Sequence, residues 1–462
     1  MAGWLCALTM ACSSSSVSRS SMLSSAGRAF ADTIMNCPAP FKLYRATLFP
    51  YNRLTRQGEK RMRTKTILMI VVVVLAAMLT FAGQKVETAD GVKLVHNSGP
   101  GAWGKSPKVA LEPVRTLGDV ETADENLAFY MPSAIAVDGA GDLFVLDTGN
   151  HRVQKFSPEG KYLATYGRKG QGPGEFYYPV WLALDDKGFL YVSDPNNQRI
   201  QVLTPDGKDH KTIKGLEQGA GPVFMGKPGE LVTGASRMRF VINREEEKPS
   251  ALPKLVKIID AEGKTLREFG EPTDFNNDLV NSGANEVIMT LDGAGQVYLV
   301  FPAQNKVEKY ASDGRLLWRA DRELPYSMEI KDKGEMKRTG NNVTVRGPQL
   351  NRCASGIAVD AKGRVWVVTL TRQLKKEEQV GTSVSMTMDG SGGRTIGYQV
   401  QGDGTELRTT DAYKLEVFDA DGALLGSLPL DFFVDGIFIY GDRLFLMDKF
   451  RGTQFKEFRI KG

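Results

Sequence analysis

Apolar and polar residues alternate in short bursts along most of this chain, and the bursts recur at a fixed spacing. Residues 143–161 read LFVLDTGNHRVQKFSPEGK and residues 190–208 read LYVSDPNNQRIQVLTPDGK, identical at 9 of 19 positions without a gap. Residues 297–315, VYLVFPAQNKVEKYASDGR, fit the same frame. Each begins with an alternating run, turns on polar residues, runs again, and turns at a glycine. Each is preceded by one more short run ending in a turn: SAIAVDGAGD, VWLALDDKGF and VIMTLDGAGQ. Alternation with a period of two, broken by turn residues every 8–12 positions, predicts antiparallel β-strands. The unit is four short strands, and Asp138 to Asp185 and Asp147 to Asp194 are both 47 residues apart. A four-stranded repeat of about 40–50 residues is a propeller blade and not a helical solenoid.

Weaker copies complete a set of six. Blade three has strands from Glu230 and Lys254, blade five from Ser355 and Tyr413, and blade six from Asp435, closing on QFKEFRI before the chain stops at Gly462. The last copy supplies three strands. The fourth is expected from residues 113–118, ahead of blade one, which would tie both ends of the domain into one blade and remove an open sheet edge. The expected fold is therefore all-β: a six-bladed β-propeller of four-stranded antiparallel blades over residues 113–462, closed by an N-terminal strand.

The N-terminus reads as an address. Residues 62–82 contain Arg63 and Lys65, an apolar run from Ile67, and small residues around Ala82. These are the three parts of a secretory signal peptide. The run of 16 residues from 67 to 82 is short of the about 20 that a membrane span needs, so an uncleaved anchor is the alternative. Residues 1–61 are Ser-rich and acid-poor, a disordered extension or a mis-called start, and 83–112 reads as a linker. The chain is expected to be exported: periplasmic, extracellular, or tethered to a membrane through that N-terminal segment alone.

Charge and cysteine content narrow the function. The formal net charge is +5, but ten Lys/Arg and two acids lie in the first 82 residues, leaving 49 basic and 52 acidic residues beyond. A slightly acidic domain argues against a nucleic-acid partner, which needs a cationic surface. Of four cysteines only Cys353 lies in the propeller, so neither an internal disulfide nor a CxxC metal site is available there. No GxSxG, HExxH or P-loop motif is present.

The pattern Asp147-x-x-Asn150-x-Arg152-Val153, repeated as Asp194-x-x-Asn197-x-Arg199-Ile200, with the Gly-rich segment 167–176 before Pro179, resembles the NHL-repeat family of six-bladed propellers, its bacterial exported branch in particular. The resemblance departs in blade four, where Phe301 and Lys306 stand at the Asp and Arg positions. It implies a propeller fold. It leaves function open, since the family includes RNA-binding, protein-binding and lyase members, so function must be argued from the site.

Turns in a blade alternate between two faces. On one face every turn is short. On the other lie three long excursions, 236–253, 323–353 and 371–412. Long loops on a rigid scaffold commonly carry function. The largest contains a hairpin signal centred on 389–393, a candidate lid over the channel mouth. Trp181, at the start of an innermost strand, is a candidate ligand platform or channel plug. Arg237, Arg239, Arg372 and Arg451 are candidate contacts for an anionic group. Asp147, Arg152, Asp194 and Arg199 read as structural turn residues, the carboxylates accepting from turn N–H groups and from the arginines. The expected function is an exported binding module that recognises a peptide, protein or carbohydrate on the decorated face, with no catalytic residue and no required cofactor. The alternative is a metal-dependent lyase or lactonase-type hydrolase with a calcium or zinc ion in the channel, for which Asn285, Glu286 and Asp435 are the residues near the strand starts.

Overall fold

A computed structural model describes residues 84–214, 221–234, 252–339, 342–388 and 394–462. Six four-stranded antiparallel blades follow one another: 134–166, 181–213, 223–269, 288–322, 354–432, and 436–461 completed by 110–117. The second strand of a blade lies deep in the fold. Leu143–Asp147 and Val365–Leu370 are buried at every position, because neighbouring blades cover both of their faces, and they read as continuous apolar runs. The outermost strands face water on one side, and Tyr162–Tyr166 is exposed at three of its five positions.

Closure follows the sequence expectation. Ala110–Leu117 pairs antiparallel with Gln454–Lys461, from Ala110 opposite Lys461 to Leu117 opposite Phe455. The segment 83–112, read as a linker, carries more structure than that reading allowed. Gln84–Ala89 and Val92–Asn97 form a hairpin that adds to the outside of blade four, with Val92–Asn97 parallel to Leu316–Arg322. Its turn is Asp90-Gly91, with φ of 51° and 78°. Asp-Gly between two short β-runs is a strong two-residue hairpin signal, since both central residues must tolerate positive φ. After the hairpin the chain crosses blade five, where the Ala102 and Trp103 amides donate to the Leu424 and Leu425 carbonyls at 3.1 and 2.6 Å.

Blades join through a recurring contact. The glycine of each third-to-fourth turn has positive φ and faces the outer strand of the preceding blade. Gly207 meets Tyr166, Gly314 meets Phe269, Gly422 meets Trp318, and Gly160 meets Arg115 of the closing strand. A Cβ on Gly314 would sit 2.9 Å from the Phe269 ring. The turn therefore needs glycine twice, for its backbone and for the neighbour's side chain.

Two of the three excursions hold described strands. The 4–5 link holds a hairpin of Glu335–Thr339 and Asn342–Arg346. The second-to-third connection of blade five holds Gly381–Met388 paired with Arg394–Gln401, as the sequence signal proposed, although its turn at 389–393 lies outside the described residues. Most of excursion 236–253 also lies outside them. The 3–4 link adds a short helix, Asp278–Ala284, capped by the Asn277 side chain accepting from the Val280 amide at 3.0 Å. That helix escaped the sequence reading because seven residues give too little periodicity to register.

Candidate functional site

The decorated face is built on a repeated clasp. Asp147 ends a buried strand, and one carboxylate oxygen accepts from the Tyr130 amide at 2.8 Å. The other accepts from Asn150 Nδ2 and Arg152 Nε, both at 2.8 Å. Asn150 and Arg152 in turn donate to the Ala128 and Glu125 carbonyls. Blade two repeats this: Asp194 accepts from the Tyr177 amide, Asn197 and Arg199, and Arg199 donates to the carbonyls of Gln171, Gly172 and Glu175. The sequence placed the carboxylates' donors in the turn; the amide that each carboxylate holds, Tyr130 or Tyr177, belongs instead to the incoming inter-blade link. The motif ties each link to its blade. Burial raises the pKa of both carboxyls, opposed by these donors.

Blade four keeps the clasp with other chemistry. Lys306 Nζ lies 3.9 Å from the centroid of the Phe301 ring, so a cation–π pair replaces the Asp–Arg pair. Gln304, at the Asn position, donates to the Ala284 carbonyl of the link at 2.7 Å.

These clasps present an aromatic cluster at the channel mouth. His151 sits at a left-handed position, φ 58°, and its Nδ1 accepts from the Tyr178 amide at 3.0 Å. That bond requires an unprotonated Nδ1, and burial, with Lys169 nearby, lowers the imidazole pKa to about 4. His151 stacks on Tyr177 and meets Tyr178 edge-on at 4.3 Å. Onto Tyr178 comes Tyr398 from the blade-five hairpin, edge-on with ring centroids 4.6 Å apart. Tyr130 Oη donates to the Tyr398 carbonyl at 3.4 Å. The hairpin thus crosses from blade five to the links entering blades one and two.

Beneath it, Trp181 lies between Phe224 of blade three and Phe438 of blade six, at 5.0 and 5.7 Å between centroids. Three innermost strands meet through these rings inside the channel. Trp181 remains partly exposed.

The candidate arginines divide. Arg237 and Arg239 lie outside the described residues. Arg372 and Arg451 both act on the blade-five excursion. Arg372 binds the Glu378 carboxylate through two nitrogens at 2.6 and 2.7 Å and also reaches Asp411. This holds the Glu378 pKa near 2. Arg451 is buried, donates to the Glu378 carbonyl at 2.7 Å, and lies 3.7 Å from the Phe433 ring centroid. Both are committed to intramolecular partners. Excursion and partner blade were legible only as insertion and turn, since no sequence pattern links residues 73 positions apart.

Of the residues weighed for a metal, Asn285 is buried and bonded to Thr273, Asn281 and Gln304. Glu286 is exposed, and Asp435 accepts from the Lys449 amide at 2.9 Å, its pKa raised by burial and by Asp448. Among the described residues no group of three or more His, Cys, Asp or Glu side chains is placed to hold a metal ion. A shallow polar cleft of about 280 Å³ opens on the same face at the rim of blade two, between Gln171, Gln198 and Lys214.

Six radially ordered four-stranded blades with one closing strand from the N-terminal side define a six-bladed β-propeller. Residues 129–156, around its first blade, match the NHL repeat family model. No curated protein matches the sequence. Solved structures of similar fold include virginiamycin B lyase from Staphylococcus aureus, 11% identical, TM-score 0.41, covering 76% of this chain and 99% of that one. A member of the DUF4221 family from Bacteroides vulgatus is 12% identical, TM-score 0.49, covering 77% and 99%. The WD40 repeats of RRP9 are 9% identical, TM-score 0.41, covering 77% and 100%. Likeness at this distance carries no argument about activity. Among the described residues no helix is long and apolar enough to cross a membrane, and the apolar segment within 62–82 lies outside them.

Proposed function

We propose that this chain is an exported binding module that holds a peptide, protein or carbohydrate over its decorated face, at the aromatic cluster beneath the blade-five hairpin. One observation carries the reading: Tyr398, delivered by an excursion of blade five, seats on Tyr178 of the link entering blade two. An insertion that crosses the mouth to meet a preformed aromatic platform builds a covered recognition surface. Tyrosines suit this use because a rigid amphipathic ring gives contact area at small entropic cost. Below, Trp181 contacts Phe224 and Phe438 across the channel, which favours recognition at the mouth over chemistry in the bore.

The test is a screen of glycan and peptide arrays with the purified chain, followed by affinity measurement on the hits with Tyr178→Ala and Tyr398→Ala. A real site loses at least tenfold in affinity in both variants, with unfolding midpoints preserved. Hits bound equally by the variants would overturn the assignment. Elemental analysis of the dialysed protein decides the metal-dependent lyase or lactonase alternative: one tightly held calcium or zinc ion per chain would turn the reading towards catalysis.

A further inference from the structure

The outer edges of this molecule differ in how they are protected. Exposed strand edges invite pairing with another chain, and proteins blunt them with charge, proline or cover. Here Gln84–Ala89 carries Lys85 and Glu87, Thr265–Phe269 carries Arg267, Ala110–Leu117 carries Pro113, and Leu424–Phe432 carries Pro429. The hairpin strand Glu335–Thr339 is charged at Glu335, Lys337 and Arg338. The strand Gly381–Met388, GTSVSMTM, has no charge and no proline over eight residues. Among the described residues it pairs with Arg394–Gln401 alone, in a two-stranded sheet. Tyr130 Oη donates to the carbonyl of Tyr398, whose ring meets Tyr178, so the second strand, Arg394–Gln401, is the one that these contacts tie to the propeller.

We infer that Gly381–Met388 is a self-association edge, on which the same strand of a second copy adds antiparallel to make a four-stranded sheet across a two-fold axis. Three arguments select a second copy. Antiparallel pairing of identical strands closes on itself, so each copy offers the other the same surface. Charged residues opposed near the axis would meet like charges, which is destabilising, and this edge has none in any register. A lone two-stranded sheet is marginal in water, and doubling it reaches a self-supporting size. The inference stands apart from the proposed ligand site, whose residues are Tyr178 and Tyr398. The rival uncharged edge is Tyr162–Tyr166 on the rim of blade one, five residues long and bounded by Lys161 and Arg168, with Leu163 exposed. An eight-residue edge spans about 27 Å. With paired strands about 4.8 Å apart, an edge of that length makes a contact well below the roughly 1,200–2,000 Å² of a stable complex, so the dimer is weak and concentration-dependent.

Sedimentation velocity of the purified chain from about 1 to 200 µM, a range suited to so small a contact, tests it. The wild type moves from monomer to dimer within that range. Ser385→Lys, or Thr387→Lys if the first fails to fold, weakens the dimer at least tenfold with the unfolding midpoint retained, while Leu163→Lys leaves it unchanged. A wild type that stays monomeric at the top concentration overturns the inference. So does a dimer that survives both hairpin substitutions or is lost in Leu163→Lys.

Discussion

Arg451 of blade six donates its Nη2 hydrogen to the backbone carbonyl of Glu378, in the excursion of blade five, at 2.7 Å. The same Glu378 holds Arg372 by its carboxylate, so one residue latches the excursion to its own blade and to the next. Removing Arg451 leaves a buried carbonyl without its donor and uncovers the Phe433 ring. Arg451→Ala is expected to cost about 2–4 kcal/mol, the range for breaking a buried charge-assisted bond. Limited proteolysis should cut within 371–408 at least tenfold faster, and unchanged cleavage would remove the latch from the account. Glu378→Gln should loosen the excursion while keeping the Arg451 bond, so its global stability falls less.

His151 gives the face an acid sensitivity. Its folded pKa of about 4 lies below the ordinary 6.5, so the proton binds the unfolded chain preferentially. Stability from this group is complete above pH 6.5, falls as pH drops from 6.5 to about 4, and is flat below, a total of roughly 3 kcal/mol at most. Protonation would also set a donor against the Tyr178 amide. His151→Asn keeps a residue tolerant of the left-handed backbone and removes the titration. Urea midpoints at pH 7, 5.5 and 4.5 should converge less steeply in this variant than in the wild type. Parallel pH curves for the two proteins would refute the assignment.

The propeller was legible because blades one and two repeat the same polar punctuation at the same spacing. Closure was legible because blade six was one strand short. The purpose of Asp147 and Asp194 was only half visible: a carboxylate at a strand end predicts a bonded turn, but the amide it holds is 17 residues upstream, a separation set by the fold. Blade four shows the converse. Phe301 and Lys306 broke the motif in sequence and preserve its geometry through another interaction. Tyr398 could not be placed, since a hairpin signal specifies its own pairing and nothing about where it lands. The Asp90-Gly91 hairpin, by contrast, was present as a readable turn signal inside a stretch treated as a linker.

The inter-blade glycine contact makes a sharper prediction. Gly207 has φ of 80°, and a Cβ there would overlap the Tyr166 ring of the preceding blade. Alanine must then adopt a left-handed backbone, at about 1–2 kcal/mol, and displace an aromatic ring as well. Gly207→Ala should destabilise by roughly 2–4 kcal/mol, whereas Gly139→Ala, with negative φ and open space around it, should change little. Chemical denaturation of the two variants separates the explanations. Equal effects would mean that chain flexibility, and not the fit between blades, sets the requirement.

Trp181 decides how the centre of the propeller is used. Its ring contacts Phe224 and Phe438, on innermost strands of blades three and six, so it fastens three blades from within. It remains partly exposed. If fastening is the main role, Trp181→Ala costs about 2–4 kcal/mol, below the upper range for a fully buried indole, and Trp181→Phe restores most of it. Ligand affinity in Trp181→Phe should then stay within a factor of three of the wild type, since the proposed platform at the mouth is Tyr178 and Tyr398. The opposite pattern, a stable Trp181→Ala that no longer binds array hits, would move the recognition surface down into the bore. Unfolding midpoints and affinities measured on the same protein preparations distinguish the two, because the packing role moves only the first and the platform role only the second.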